Sequence, residues 1–279
     1  MRSIKIVSDS ASDMLKQTGK VDFASVPLKI VCADKTFVDD SSLNTSRMIA
    51  YFDKYKGRSS TSCPSTGDWL EAFGDSDEIF CVTITSGLSG SYNSACAAKT
   101  IYESENEGKR VFVIDSLSTG PEMWLIITKL DELISEGRSF DEVADAISEY
   151  KKSTGLLFML KSLKNFASNG RISPTIAKIA GLVGLCIVGK ASDEGKLTPL
   201  SKCRGETKSL SAIVSELHSA GLQYGRVSIA HNHNRDGAVK LMTLIREKFP
   251  EVTIEIHPLR GLCSYYAEVG GILVGYEKQ

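Results

Sequence analysis

The feature that most restricts this chain is the alternation, through its first half, of short apolar runs with longer segments of helical period. IKIV (4–7), SVPLKIVC (25–32), EIFCVTI (78–84) and RVFVID (110–115) read as strands; TSRMIAYFDKY, TGDWLEAFG, YNSACAAKTIYESE, MWLIITKLDELISEG and SFDEVADAISEYKK read as helices. Strands that alternate with helices assemble as βα units, and such units predict an open, mainly parallel sheet. Two of the helices carry a start signal of their own. Ser65 with Asp68, and Ser139 with Glu142, place an N-cap hydroxyl three residues before an acid that can reach back to it.

The polar stretch KKSTG (151–155) follows a complete helix and predicts a boundary between two α/β domains, 1–153 and 154–279. Beyond it come LLFML, two helical patterns in SLKNFAS and SPTIAKIAGLVG, and a hairpin in LCIVGKASDEGKLTPLSK that turns at 193–196. A helix over 209–220, a strand RVSIAH, a helix over 237–249, a strand VTIEIH and a last strand GILVGY complete the second half, which is therefore α/β with a mixed sheet. At 279 residues the chain can bury a core without covalent help.

Composition narrows the function classes. The seven cysteines are an odd number with no C-x-x-C pair, so they read as reduced thiols rather than a disulfide or zinc framework. The opening MRSIKIVSDS lacks the pattern of a signal peptide. The most apolar segment, IAGLVGLCIVG (179–189), is shorter than the roughly 20 residues that cross a bilayer. A formal charge of -1 supplies no field for a polyanion, so nucleic acid is not an expected partner. These features predict a cytoplasmic protein without an integral membrane segment.

Two hydroxyl clusters carry the chemistry. TSGLSGSY (85–92) joins a strand to a helix, with Ser86, Ser89 and Ser91 as donors, Gly87 and Gly90 for close approach, and a helix N-terminus that favours an anion. In TSCPS (61–65), Pro64 stiffens the backbone that presents Thr61 and Ser62. The segments VSDSASD and VIDSLSTG both put Asp-Ser at the C-terminal end of a strand, the edge at which open α/β sheets gather ligands. Asp9, Ser10, Asp115 and Ser116 either line one crevice with the hydroxyl clusters or merely cap turns.

Sharper signals fail. GLSGS has Ser91 where the last glycine of G-x-S-x-G belongs. GLCIVGKA (184–191) ends in alanine where a P-loop needs a magnesium-binding hydroxyl, and its interior reads as a buried strand. His231 and His233, with Asp236 nearby, lack a third metal ligand at recognisable spacing. With no evident nucleophile–base pair, metal site or cofactor motif, binding without catalysis is the leading expectation. The alternative is a hydrolase or phosphotransferase acting at Ser89 and Asp115.

The ordered motifs SDSASD, TSCPS, TSGLSGSYNSA, VIDSLSTG, NGRIS and KCRGETKSL together resemble the DegV family of bacterial fatty-acid-binding proteins over nearly the whole chain. The resemblance implies two α/β domains with a ligand tunnel between them, holding a long-chain fatty acid whose carboxylate meets hydroxyls at the inner end. By position it assigns Thr61, Ser62 and Ser89 to that carboxylate, and it implies a carrier that catalyses nothing and presents its acid to a separate fatty-acid kinase. Arg171 and Arg204 match the family's arginines; they contact a lipid headgroup, a membrane surface in passing or the kinase, or are simply surface cations.

Two departures stand out. Cys63 occupies the usual glutamine position, and Tyr266 stands near the place of a family histidine, either as a hydroxyl donor to the carboxylate or as a stacked core ring. For the hydrocarbon tail the candidates are residues 156–160, Ile176, Ile179, Ala180, Val183, Trp124, Leu125 and Ile126, which are otherwise ordinary core.

Overall fold

A computed structural model describes residues 2–16, 19–177 and 184–278. In chain order it shows β1 (Ile4–Asp9), a 3-10 turn (Ser10–Ser12), β2 (Asp22–Val26), β3 (Lys29–Cys32), β4 (Thr36–Val38), α1 (Thr45–Lys54), β5 (Ser59–Ser62), α2 (Thr66–Phe73), β6 (Glu78–Thr83), α3 (Ser91–Glu105), β7 (Arg110–Asp115), α4 (Pro121–Ser135) and α5 (Phe140–Lys152). It continues with β8 (Thr154–Leu160), α6 (Lys164–Ser168), α7 (Pro174–Ala177), β9 (Leu185–Ala191), β10 (Leu197–Arg204), α8 (Glu206–Ser219), β11 (Tyr224–His231), α9 (Arg235–Lys248), β12 (Glu251–Pro258), α10 (Gly261–Ala267) and β13 (Ile272–Glu277).

Three sheets result. Four parallel strands run in the order β2-β1-β6-β7, six mixed strands in the order β10-β9-β8-β13-β11-β12, and three antiparallel strands in the order β4-β3-β5. The wholly buried run of β6 is what a central parallel strand needs, because helices cover both of its faces. Helices α2 and α3 pack on one face of the parallel sheet, and α8 and α9 on the far face of the mixed sheet. Between the two sheets lies α4, touching β1 and β6 on one side and β8, β11 and β13 on the other. The largest apolar core forms around it, with Met123, Ile126, Ile127 and Leu130 fully buried.

Both capping boxes form: Ser65 accepts from the Asp68 amide and Ser139 from the Glu142 amide, while each acid accepts from the cap's own amide. The hairpin of β9 and β10 also forms, so the P-loop look-alike is a strand. SVPLKIVC, expected as one strand, instead divides into β2 and β3, which belong to different sheets. Proline has no amide hydrogen for the ladder, so the chain leaves the parallel sheet at Pro27, and the next amide, of Leu28, donates to Ser10 Oγ at 3.0 Å. The start of the TSCPS cluster, expected only as stiffened backbone before Pro64, lies in a strand, β5, where Thr61 pairs with Ile30 and Ser62 with Lys29. The helical pattern after Ala177, with the tail candidates Ile179, Ala180 and Val183, lies outside the described residues.

Candidate functional site

From β1 the chain passes to β2 on one side, while β6 joins β1 on the other. That reversal makes a crevice at the strands' C-terminal ends, the place where doubly wound sheets bind ligands. Asp9 closes it from below. Its fully buried carboxylate accepts from the amides of Ala11 at 3.2 Å and Ile84 at 2.9 Å and from Ser91 Oγ at 2.6 Å. Burial pushes its pKa up to about 7, with these three hydrogen bonds pulling the other way.

The loop after β6 is held by its own atoms. The amide of Thr85 donates to Ser118 O, that of Ser86 to Asp115 Oδ1, that of Gly87 to Thr85 Oγ1, and those of Leu88 and Ser89 to Thr85 O. Asp115 Oδ1 also accepts from the Leu117 amide. The expectation joined serine donors to a helix N-terminus; the amides of residues 85–89 are already partnered, so this part of the loop offers side-chain hydroxyls. Ser89 Oγ accepts from the Ser91 amide at 3.2 Å, which leaves its own proton free to donate. Thr85 Oγ1 is committed to the carbonyl of Gly195 in the β9–β10 turn, at 2.9 Å. That turn seats so closely that a Cβ on Gly87 would stand 2.7 Å from Glu194 O, so only glycine fits there.

Opposite this loop stand β5 and α10. The strand alternates, so Ser59 and Thr61 face the helix, while Ser60 and Ser62 are exposed. Thr61 Oγ1 lies 2.8 Å from the Tyr266 hydroxyl, and Ser59 Oγ lies 2.7 Å from that of Tyr265. Tyr265 also accepts from Asn169 Nδ2 at 3.0 Å. In the Thr61–Tyr266 pair either hydroxyl can donate, and the proton not used between them is available to an acceptor. Tyr266 also packs its ring on Phe166 in a tilted arrangement, with centroids 4.6 Å apart, so it is at once a packed aromatic and a hydroxyl lining the site. Burial raises its pKa, opposed by Thr61 and Arg171.

Between the two walls is a cavity of about 340 Å³, within the roughly 300–1,000 Å³ typical of small-molecule sites. Thr61, Ser62, Cys63, Ser89, Tyr266 and Arg171 line it together. Ser62 does so from exposed backbone, with its hydroxyl given to the Cys63 carbonyl. The rest of the lining is largely apolar, with Leu28, Ile84, Leu156, Phe158, Leu160, Leu262 and Leu273 prominent. Two wider clefts, of about 870 and 620 Å³, meet it at Thr61 and at Ser89, and Arg171 borders all three.

Other expected residues fall elsewhere. Arg204, exposed at the end of β10, borders none of these three cavities. Asp9, Ser10, Asp115 and Ser116 do not line the cavity. Asp9 and Asp115 instead hold turns, and Ser116 Oγ bonds within its own turn. Among the tail candidates, Leu157 and Met159 turn away into the core under α8 and α9, because a strand alternates its faces. Trp124 stacks on His257 with centroids 4.1 Å apart, Leu125 and Ile126 are buried off the cavity, and Ile176 borders the smaller outer cleft. His231 accepts from the Asn234 amide and His233 meets Ser46, and no metal-ligand cluster occurs among the described residues. Sequence reasoning missed α10, and with it Leu262 and Cys263 in the cavity wall. Its short GLCSYYA pattern has no N-cap side chain of its own that would announce it.

A family model described as "Uncharacterised protein, DegV family" matches residues 3–279. A DegV domain-containing protein of Streptococcus pneumoniae (strain R6) is 45% identical over 276 residues, covering 98% of each chain. Among solved structures, the Streptococcus pneumoniae Fatty Acid Kinase (Fak) B3 protein loaded with linoleic acid is similar at a TM-score of 0.97 and 44% identity, covering 99% of this chain and 100% of that one. A DegV family protein from Eubacterium eligens loaded with heptadecanoic acid gives a TM-score of 0.96 and 43% identity, covering 99% and 100%.

Proposed function

This chain belongs to the DegV family, and from that membership together with its cavity we propose that it binds a long-chain fatty acid and presents the carboxylate to a separate fatty-acid kinase. The observation that carries the reading is the make-up of one cavity: hydrocarbon side chains line most of it, Tyr266 lines it beside Thr61, and Thr61, Ser89, Arg171 and Lys196 stand where it meets the outer clefts. Burying a dozen methylenes at about 0.8 kcal/mol each contributes roughly 10 kcal/mol before ordering costs. A carboxylate leaving water must recover its hydrogen bonds, since an unpaired buried polar group costs roughly 2–7 kcal/mol. Ser89 and the Thr61–Tyr266 pair supply donors for this, and Arg171 supplies charge at the rim.

On this reading the two halves, 1–153 and 154–279, act as domains closing on the tail, and the acid's head faces the clefts through which a kinase reaches it. Ser62 stays near the head as a lesser contact. Arg171 and Arg204 serve the partner or a passing membrane surface in the cytoplasm; no helix among the described residues is long and apolar enough to cross a membrane. The chain acts as a carrier. A hydrolase at Ser89 would need a free base, and the carboxylates beside that loop, Asp9 and Asp115, are bonded to amides and to Ser91.

Native mass spectrometry of the protein as purified tests this reading. A bound long-chain acid is expected, and a clean apo protein that takes up no acid when offered one overturns it.

A further inference from the structure

The walls of the cavity's polar end are both anchored on buried carboxylates near the start of the chain. Asp9 secures the Ser89 loop. The Tyr266 wall has its own pair. Asp39, with no exposed surface, accepts from the Gly261 amide through Oδ1 at 2.9 Å and from the Leu262 amide through Oδ2 at 2.8 Å. Asp13, also buried, accepts from the Arg260 amide at 2.7 Å. These successive amides at the start of α10 are of the kind that a helix leaves without internal partners.

The seat is tight. A Cβ on Gly261 would lie 2.5 Å from both Asp39 Oδ1 and Leu43 Cδ2, so a side chain there must displace the helix or those two side chains. Asp13 adopts a left-handed backbone, φ 59 and ψ 11, as the cap of the 3-10 turn, and that conformation turns its side chain to residue 260. Five residues beyond Gly261 in the same helix, the Tyr266 hydroxyl meets Thr61.

We propose that Asp39 and Asp13 are positioning residues for the ligand's head group: by holding the amides of residues 260–262 they set the depth and rotation of α10, and so the point at which Tyr266 and Thr61 present their shared hydroxyl proton. The inference rests on the fatty-acid reading above. It extends that reading to residues that do not border the cavity.

The test compares binding of hexadecanoic acid with that of hexadecanol. Asp39→Asn keeps the shape of the side chain but turns one acceptor into a donor facing an amide. It should weaken the acid about tenfold, the loss of one charge-assisted hydrogen bond, while changing the alcohol less than about twofold. Added to Tyr266→Phe, it should cause no further loss of acid preference, since both act through one hydroxyl. Gly261→Ala, which displaces the helix from the opposite side of the same contact, should show the same signature and carries the test if Asp39→Asn does not fold. Equal loss of acid and alcohol, or losses that add to that of Tyr266→Phe, overturns the proposal. A wild-type protein that binds no acid overturns the functional reading instead, so the two failures are distinguishable.

Discussion

The two walls that meet at the polar end of the cavity are built in opposite ways. The Ser89 wall is one strand, one loop and one helix in sequence, and most of its loop amides are bonded within the loop or to Asp9, Asp115 and Ser118. The Thr61 wall joins β5 to α10 by a hydroxyl pair 205 residues apart in the chain. One wall is held by many hydrogen bonds, within its loop and to Asp9, Asp115 and Ser118, and Ser89 keeps one proton to donate. The other rests on that one hydroxyl pair, so its donor depends on how α10 is seated.

The largest expected effect comes from removing the anchor of the Ser89 wall. Asp9→Ala strands two buried amides and the Ser91 hydroxyl, each worth about 1–3 kcal/mol, so the urea midpoint should fall by the equivalent of about 3 kcal/mol or more. A midpoint close to wild type would mean that the loop holds itself without Asp9.

Next in size is the dependence of stability on pH. Asp9 and Asp13 are raised from 3.8 to about 7 and about 8, chiefly by burial. A carboxyl raised on folding binds its proton more tightly in the native state, so its ionisation opposes folding. Stability should therefore fall by roughly a few kcal/mol as pH rises from about 4 through about 8. The groups facing these carboxyls are Asp39, Arg260, Cys263 and Cys81, together with the Ser91 hydroxyl. Both walls should loosen as these carboxyls ionise. Amide hydrogen exchange at residues 84–91 and 260–267 across that range checks this, and unchanged protection in both segments would separate the carboxyls from the walls. At the acid end the caps Asp68 and Glu142, lowered mainly by their serine partners, lose their contribution as pH falls through their folded values.

Smaller effects come from the donors themselves. Thr61→Ala should release bound acid about tenfold faster, because it removes a donor and leaves the Tyr266 hydroxyl without its mate. Ser89→Ala should cost only about threefold to fivefold, since the loop backbone stays where its other hydrogen bonds put it. Equal effects, or none, measured by mass spectrometry of retained ligand, would erase the contrast between the walls.

That contrast also explains how much of the site was legible. The alternation of strands and helices, the two capping boxes, the β9–β10 hairpin and the Ser89 turn rest on residues close in sequence, so their patterns could be read directly. The division of 25–32 at Pro27 was readable in principle, because proline cannot donate within a ladder, yet its apolar neighbours masked it. Period-two alternation in β8 likewise separates Leu156, Phe158 and Leu160, which line the cavity, from Leu157 and Met159, which do not. The roles of Asp9 and Asp115 were open in the sequence, since an acid after a strand can face a ligand or cap a turn with the same residue pattern. Their partners decide, and several lie far away in the chain.

By itself, then, the order of residues determined which segments become strands and helices and where hydroxyls cluster, because local propensity and periodicity act over a few residues. Only the tertiary structure decided that Thr61 meets Tyr266, that Asp39 holds α10, and that an apolar space remains between the walls. Those outcomes depend on how packed layers exclude water over long chain separations, which no local pattern encodes.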